Sequence, residues 1–209
     1  MVAHEYAHGY AALRQGDATA QSLGRLSWNP LKHIDPMMTL IMPLITFLTM
    51  GVAFGGAKPV PVDPRNYRNY VRGDIIVSLA GIATNILIAI ALTVLIIPVG
   101  LLGRAAPAIA SSLAIVQLMF FYGITINLVL AMFNLIPIPP LDGSHVIKHL
   151  LPPKWAWNYQ RFGRYGILVL VALLYIGTPV TAWMKPVWIL RDHAAELVGP
   201  FILPSPWTT

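Results

Sequence analysis

The chain contains no cysteine and few charged residues, and both shortages restrict what it can be. Without cysteine, disulfide frameworks and thiolate metal sites are excluded. Only 11% of its 209 residues are Asp, Glu, Lys or Arg, whereas a soluble domain carries roughly a quarter. A large part of the surface is therefore not built to face water.

Long apolar runs take the place of the missing charges, and hydrophobic residues make up 56% of the chain. A helix of about 20 apolar residues is long enough to cross a membrane. The runs predict an all-α polytopic membrane protein, a single domain over residues 1–209 with about four to five transmembrane helices. Because the first run begins at Met1, we expect the first helix to be truncated. The predicted spans are Met1–Arg14, Asp74–Gly103, Pro107–Asn134 and Tyr165–Met184, followed by an amphipathic helix over Val187–Val198.

The basic residues indicate an orientation in the membrane rather than a nucleic-acid partner, because they lie between the apolar runs and not in one patch. If Pro36–Ala57 enters the membrane and returns to the same side, eleven Lys and Arg residues flank one face and Arg104 flanks the other. The positive-inside rule then predicts a re-entrant or hairpin segment and a cytoplasmic location for the eleven. The same segment is also long enough to span the membrane.

Two histidines and a glutamate stand together in "HEYAH", close to the start of the chain. Residues four apart lie on one face of a helix, so His4 and His8 can bind one metal ion. H-E-x-x-H on a helix is typical of zinc metalloproteases, in which the glutamate, here Glu5, is the general base. Ionisable residues among membrane-embedded apolar neighbours are costly, and their presence indicates function.

A catalytic zinc ion has three protein ligands and one open position. Glu196, the only other glutamate, lies in the tail, so we expect a histidine or an aspartate as the third ligand. Asp142 in "FNLIPIPPLDGSH" is favoured, because it and His8 each lie six residues before a basic residue and so reach similar depths. Asp35 stays open as an alternative, and Asp74 is interpreted as a helix N-cap.

Together, "HEYAH" and "NLIPIPPLDG" resemble the paired motifs of the site-2 protease family of intramembrane zinc metalloproteases. The stretches "GRLSWNPLKHIDP", "FGGAKPVPVDPRNYRN" and "LAGIATN" resemble its short bacterial members, which lack PDZ and CBS domains. In "LAGIATN", Ile82 stands where the family usually has proline. The resemblance covers about residues 1–150. It implies one Zn²⁺ per chain held by His4, His8 and Asp142, Glu5 as the catalytic carboxylate, and a contact from Asn134 to substrate or intermediate.

The resemblance implies hydrolysis of peptide bonds in membrane-spanning protein substrates, that is, regulated intramembrane proteolysis. It places the enzyme in the lipid bilayer of the bacterial inner membrane, with the active site toward the cytoplasmic side and no nucleic-acid partner. Two other functions stay open, a metal-binding membrane transporter or channel and an inactive homologue that binds substrates without cutting them. The intact Glu5 favours an active protease over the last of these.

Two further patterns lead to weaker predictions. The segments Gly24–Asn29 and Lys58–Val62 are expected to be extended, and one of them either pairs with a substrate strand or closes as a loop over the membrane face. His145 and His149 are four residues apart and could form a second metal site. The sequence disfavours that site, because no acidic residue lies between the two histidines.

Overall fold

The structure, a computed structural model, describes residues 1–51, 53 and 55–204. Within these residues the regular secondary structure is helical and contains no β-strand, which confirms the predicted all-α class. Two stretches, Tyr70–Ala105 and Pro107–Asn134, are long and apolar enough to cross a membrane. The α-helices are α1 Val2–Gln15, α2 Thr19–Ser22, α3 Met42–Met50, α4 Tyr70–Ala105, α5 Ala110–Asn134, α6 Asp142–Leu150, α7 Pro153–Phe162, α8 Gly166–Ile176, α9 Thr178–Trp183 and α10 Lys185–Val198.

The described residues form two compact units. The first unit comprises residues 1–84 and 134–177. The second comprises residues 85–133 and the described residues from 178 onward. All the predicted site residues belong to the first unit.

In the first unit, α1 ends where Gly16 adopts a left-handed conformation, with φ of 113°. Asp17 follows directly and is fully buried. Its carboxylate accepts hydrogen bonds from the Asp63 backbone N–H at 2.7 Å and from Asn66 Nδ2 at 2.9 Å. The Gln15 carbonyl accepts from the Arg68 N–H at 2.8 Å. The polar end of α1 thus anchors the segment that runs from residue 58 to the start of α4.

The predicted re-entrant segment Pro36–Ala57 starts with a π-helical stretch, Pro36–Ile41, and continues as α3. Its two ends are joined, because the Gly56 N–H donates to the Met38 carbonyl at 2.9 Å and the Thr39 hydroxyl donates to the Gly56 carbonyl at 2.8 Å. Large apolar side chains along the helical part are exposed, including Met37, Leu40, Leu44, Phe47 and Leu48. Within the segment, Val52 and Phe54 lie outside the described residues.

The second unit has an apolar core. The buried side chains of this core are Ala89, Ile96, Ile124, Leu128, Met184, Val187 and Val198. Gln117 is a large polar side chain buried in the same unit, and three backbone groups satisfy its amide. Its Nε2 donates to the Ile96 and Phe201 carbonyls, both at 3.0 Å, and its Oε1 accepts from the Leu203 N–H at 2.9 Å.

Two predictions about helix boundaries are wrong. The expected span Tyr165–Met184 is interrupted, because α8 ends at Ile176, Gly177 follows with φ of 76°, and α9 begins at Thr178. A proline at position 179 fits the first turn of a helix but not its interior, which favours a new start there. Asp74 is not an N-cap, since α4 begins four residues earlier, at Tyr70. The amphipathic helix predicted over Val187–Val198 is present as α10.

Candidate metal centre

Three potential metal ligands meet in the first unit, two from α1 and one from the start of α6. The Nε2 atoms of His4 and His8 lie 3.0 Å apart. Oδ2 of Asp142 lies 3.3 Å from His4 Nε2 and 3.4 Å from His8 Nε2. Among the described residues, these three form the one group of His, Cys, Asp or Glu side chains close enough to hold a metal ion together.

The spacing of these atoms suits a tetrahedral zinc ion. Ligand atoms about 2.0–2.1 Å from a tetrahedral centre are separated by about 3.3–3.4 Å, close to the distances found here. Asp142 Oδ2 is buried and has no hydrogen-bond donor of acceptable geometry. Such an oxygen is costly to bury unless a cation or a donor compensates it. The donor set of two imidazole nitrogens and one carboxylate oxygen therefore fits zinc.

The ionisation of Asp142 also fits metal binding. Burial favours the neutral acid, but the neighbouring His4 and His8 outweigh burial and lower the pKa of Asp142 to about 2. At neutral pH the group is a carboxylate, which is the form that binds metal ions. Two histidines and a carboxylate would leave one position of a tetrahedral zinc ion open, as in catalytic sites.

Helix α4 supports the two histidines from behind. His8 Nδ1 donates to the Val77 carbonyl at 2.7 Å, which leaves Nε2 as the nitrogen with the free lone pair. Gly81 lies one turn further along α4, and a Cβ atom there would be about 2.5 Å from His4 Cε1 and His8 Nε2. Only glycine allows α4 to pass this close to the ligands. Ile82, at the position where the family usually has proline, is buried within the unbroken helix.

Glu5 is held next to the ligands by the segment Lys58–Val62. Its Oε2 accepts a hydrogen bond from the Val60 N–H at 2.8 Å. Gly9 lets the segment approach α1, since a Cβ atom there would lie 2.9 Å from Val60 Cγ1. The Arg25 guanidinium donates to the carbonyls of Lys58 and Pro59, both at 3.3 Å.

These contacts favour a covering loop over a substrate-pairing strand for Lys58–Val62. Two of its five residues are prolines, which have no N–H to offer to a strand. The N–H of Lys58 donates to the His33 carbonyl at 2.8 Å, so the amides of both Lys58 and Val60 are used within the chain. In the other candidate segment, Gly24–Asn29, the Leu26 N–H likewise donates to the Ala20 carbonyl at 3.2 Å.

A cavity of about 260 Å³ opens beside the three ligands, with room for several water molecules. Glu5 and Asn134 contribute to its wall, and Asn134 is the last residue of α5. Val60, Tyr67 and His145 line it as well. Asp35, which the sequence left open as a ligand, instead accepts hydrogen bonds from the Met37 and Met38 N–H groups at the start of the π-helical stretch, both at 2.9 Å.

Asp74 is the residue near the site that sequence reasoning assigned wrongly. It is 2% exposed and its carboxylate meets three side chains of α6, those of His145, Lys148 and His149. The sequence disfavoured a site at the two histidines because no acid lies between them along the chain. The acid comes instead from α4, about 70 residues away. The sequence signal that could have indicated a role for Asp74 is an acidic residue in the first turns of an apolar run.

Comparisons with known proteins agree on one family. The sequence model described as Peptidase family M50 matches residues 97–177, a range that contains Asn134 and Asp142. "Putative zinc metalloprotease YwhC" of Bacillus subtilis (strain 168) is 35% identical over 205 residues, which cover 96% of this chain and 88% of that protein.

A second relative is "Putative zinc metalloprotease Rip2" of Mycolicibacterium smegmatis. It is 34% identical over 173 residues, which cover 82% of this chain and 61% of the relative. The protein of the same name from Mycobacterium tuberculosis (strain H37Rv) is 27% identical over 86% of this chain and 64% of its own length. No solved structure gives a significant match.

Proposed function

Because the chain belongs to Peptidase family M50, the site-2 protease family, and is a zinc metalloendopeptidase, we propose that it cleaves peptide bonds of membrane-spanning proteins. We assign one zinc ion per chain to His4, His8 and Asp142. The observation that carries the proposal is the meeting of these three ligand atoms within 3.0–3.4 Å, beside Glu5 and an open cavity.

Each residue around the cavity has a distinct part in the proposed reaction. When bound, zinc lowers the pKa of a water molecule and polarises a carbonyl group. Glu5 takes a proton from the attacking water and passes it to the leaving amine. The Val60 N–H engages Oε2 of Glu5, which leaves Oε1 for this proton. The Asn134 side chain donates to the oxyanion that develops on the substrate carbonyl.

The covering loop supports this chemistry by limiting where water can enter. Pro59, Val60 and Val62 form an apolar part of the cavity wall next to Glu5. Exclusion of bulk water strengthens the hydrogen bonds that a carboxylate or an amide makes with the substrate. The polar wall formed by Asn134, Asp142 and His145 is the side on which water reaches the site.

The proposed membrane placement follows from the apolar helices and the basic residues. We propose four to five spans, including α1, α4 and α5, in a multi-pass protein of the bacterial inner membrane. The hydrogen-bonded ends of Pro36–Ala57 support a re-entrant hairpin, and its exposed apolar side chains suit contact with lipid. The basic flanking residues favour a site that opens toward the cytoplasmic side.

Glu5→Gln in purified, detergent-solubilised protein tests the proposal. Zinc content and cleavage of a model transmembrane substrate are measured for the parent and the variant. We expect equal zinc content and loss of cleavage, because glutamine keeps the shape but cannot accept the water proton. Glu196→Gln is the matched control, since Glu196 is the only other glutamate in the chain and lies in α10. It is expected to cleave like the parent.

Two results would contradict the proposal. Equal cleavage by the parent and the Glu5→Gln variant would show that the reaction does not need the Glu5 carboxylate. If the parent protein binds zinc but does not cleave the substrate, and vesicles that contain the protein take up zinc, the transporter hypothesis would be favoured. Cleavage of the transmembrane substrate is also compared with cleavage of a soluble unfolded peptide that has the same cleavage sequence. This comparison distinguishes general proteolysis from intramembrane proteolysis. We expect the transmembrane substrate to be cut faster.

A further inference from the structure

Asp74 forms a buried network with one short helix. Its Oδ1 lies 3.1 Å from His145 Nδ1, and its Oδ2 lies 2.5 Å from Lys148 Nζ and 2.7 Å from His149 Nε2. All three partners belong to α6, the helix that begins with Asp142. The Lys148 and His149 side chains are 8% and 9% exposed, so water screens their two contacts poorly, whereas His145 is 40% exposed.

Helix α6 depends on such contacts for its orientation. It has nine residues, and isolated helices of this length are marginal in water. The residue before it, Leu141, provides no side-chain cap, and the preceding loop contains prolines. Residues 142, 145 and 149 lie on one face of the helix. A contact that fixes His145 and His149 therefore also fixes the direction in which Asp142 points.

Helix α4 holds both halves of the ligand set. Val77 of α4 accepts the hydrogen bond from His8, and Asp74, one turn earlier, binds α6. The rise between these two positions is about 4.5 Å, equal to the rise from Asp142 to His145 on α6. Helix α4 thus contacts both the helix that carries the histidine ligands and the helix that carries the aspartate ligand, and it sets their positions relative to each other.

A second metal site does not explain this network. The Lys148 ammonium lies 2.5 Å from Asp74 Oδ2, where a metal ion would have to bind. The lysine already balances the charge of the carboxylate. In the part of the chain that the structure describes, the metal-binding geometry is met by His4, His8 and Asp142.

We propose that Asp74 is a positioning residue for the metal centre. By anchoring His145, Lys148 and His149, it sets the rotation of α6 that presents Asp142 to His4 and His8. The inference rests on the proposed role of Asp142 as a zinc ligand. Asp74 also lines the cavity, but its carboxylate is engaged by α6, and we assign its effect on zinc binding to that contact.

The test is the zinc affinity of Asp74→Asn, measured on the full chain in detergent by competition with a chromogenic chelator. Loss of a residue that orients a metal ligand typically costs 10–100-fold in affinity, and we expect a loss of about that size. Asp17→Asn is the matched control, because Asp17 is equally buried and hydrogen-bonded but contacts the 63–66 segment. It should leave the zinc affinity unchanged.

A spectroscopic readout separates positioning from a general loss of stability. With Co²⁺ in place of zinc, the visible spectrum reports the ligand geometry. Asp74→Asn should change that spectrum, whereas Asp17→Asn should not. If Asp74→Asn fails to fold, the double variant Asp74→Asn/Lys148→Met removes the charges together and avoids a buried unpaired lysine. Parent-like zinc affinity in a folded Asp74 variant overturns the inference.

A double-mutant cycle distinguishes failure of this inference from failure of the proposed function. If Asp74 acts through Asp142, Asp74→Asn should weaken zinc binding less than threefold in an Asp142→Asn background. Full additivity would mean that Asp74 acts independently of Asp142 and would overturn the inference alone. Parent-like zinc affinity in Asp142→Asn would instead overturn the assignment of Asp142 as a ligand, and with it the metal centre of the proposed function.

Discussion

The two compact units bury different kinds of side chain. The second unit packs Ile96, Ile124, Val187 and Val198 in an apolar core, and its Gln117 is paired entirely with backbone groups. The first unit buries ionisable side chains, among them His4, Glu5, Asp17, Asp74 and Lys148. In the first unit, several of these buried groups are paired with groups from distant parts of the chain.

This difference predicts which substitutions change the stability of the protein and which change the chemistry of its site. Apolar packing is tolerant, since side chains of similar volume replace each other at modest cost. Buried charges are not tolerant, because removal of one partner leaves the other uncompensated. We therefore expect substitutions in the second unit to change mainly stability, and substitutions at the residues of the first unit that form or support the metal centre to change zinc binding or catalysis.

The largest effect is expected at Asn134, compared with Asn127 two turns earlier on α5. Asn134 lines the cavity, whereas Asn127 donates to the Gly123 carbonyl of its own helix at 2.9 Å. Asn134→Ala should lower kcat by about 10²–10³-fold, because a donor to the oxyanion is lost. Zinc content should not change. Steady-state kinetics on a transmembrane substrate measure the effect.

Asn127→Ala is the control for this pair, and we expect its kcat to lie within about threefold of the parent value, because its hydrogen bond is local to α5. A comparable loss in both variants would mean that α5 is sensitive along its length. In that case Asn134 would have no special part in the reaction.

The ligand motif and the apolar helices were predictable because each depends on local sequence. The spacing of His4 and His8 predicts one helix face, and α1 provides it. Length and composition predict α4 and α5 as candidate spans for the same reason. The roles of Glu5, Asn134 and Asp142 stay predictions, although the three residues line one cavity.

The partners of Asp74 were not predictable, because they depend on how α4 and α6 pack. A single sequence shows an acid near the start of an apolar run and two histidines about 70 residues later, with nothing to connect them. The break at Gly177 was missed for a different reason. The hydropathy of the run is continuous there, and the local signal for the break is Gly177 followed by Pro179.

A smaller effect is expected from a methyl group at Gly81 of the first unit, compared with one at Gly123 of the second. At Gly81 the new Cβ would lie about 2.5 Å from the rings of His4 and His8, whose positions the proposed zinc coordination would fix. At Gly123 it would lie 2.7 Å from Leu92 Cδ1, the end of a flexible side chain. Gly81→Ala should weaken zinc binding about 10–100-fold, and Gly123→Ala should leave it unchanged.

Chelator competition measures both affinities. Since alanine favours a helix interior by up to about 1 kcal/mol over glycine, Gly123→Ala should also melt at the parent temperature or slightly above it. Parent-like zinc affinity in Gly81→Ala would show that the histidines can move aside. The close approach of α4 would then have no importance for the metal centre.

The smallest effect on the metal centre is expected from Asp17 of the first unit and Gln117 of the second, whose substitution should change stability, and pH distinguishes the two. Burial alone would raise the pKa of Asp17, but hydrogen bonds from Asn66, Thr19 and the Asp63 amide hold it below its ordinary value. A group with a lowered pKa stabilises the fold above its unfolded pKa, about 3.9, and loses this contribution as the pH falls through its folded pKa.

Asp17→Asn should therefore cost about 1–3 kcal/mol in the free energy of unfolding at pH 7, and progressively less below pH 4. Gln117→Leu leaves the Leu203 N–H and the Phe201 carbonyl without their partner, which should cost a similar amount at every pH. Thermal melts in detergent at pH 7 and pH 3.5 compare the two variants with the parent. A pH-independent loss in Asp17→Asn would mean that packing, and not the charge of the carboxylate, stabilises the end of α1.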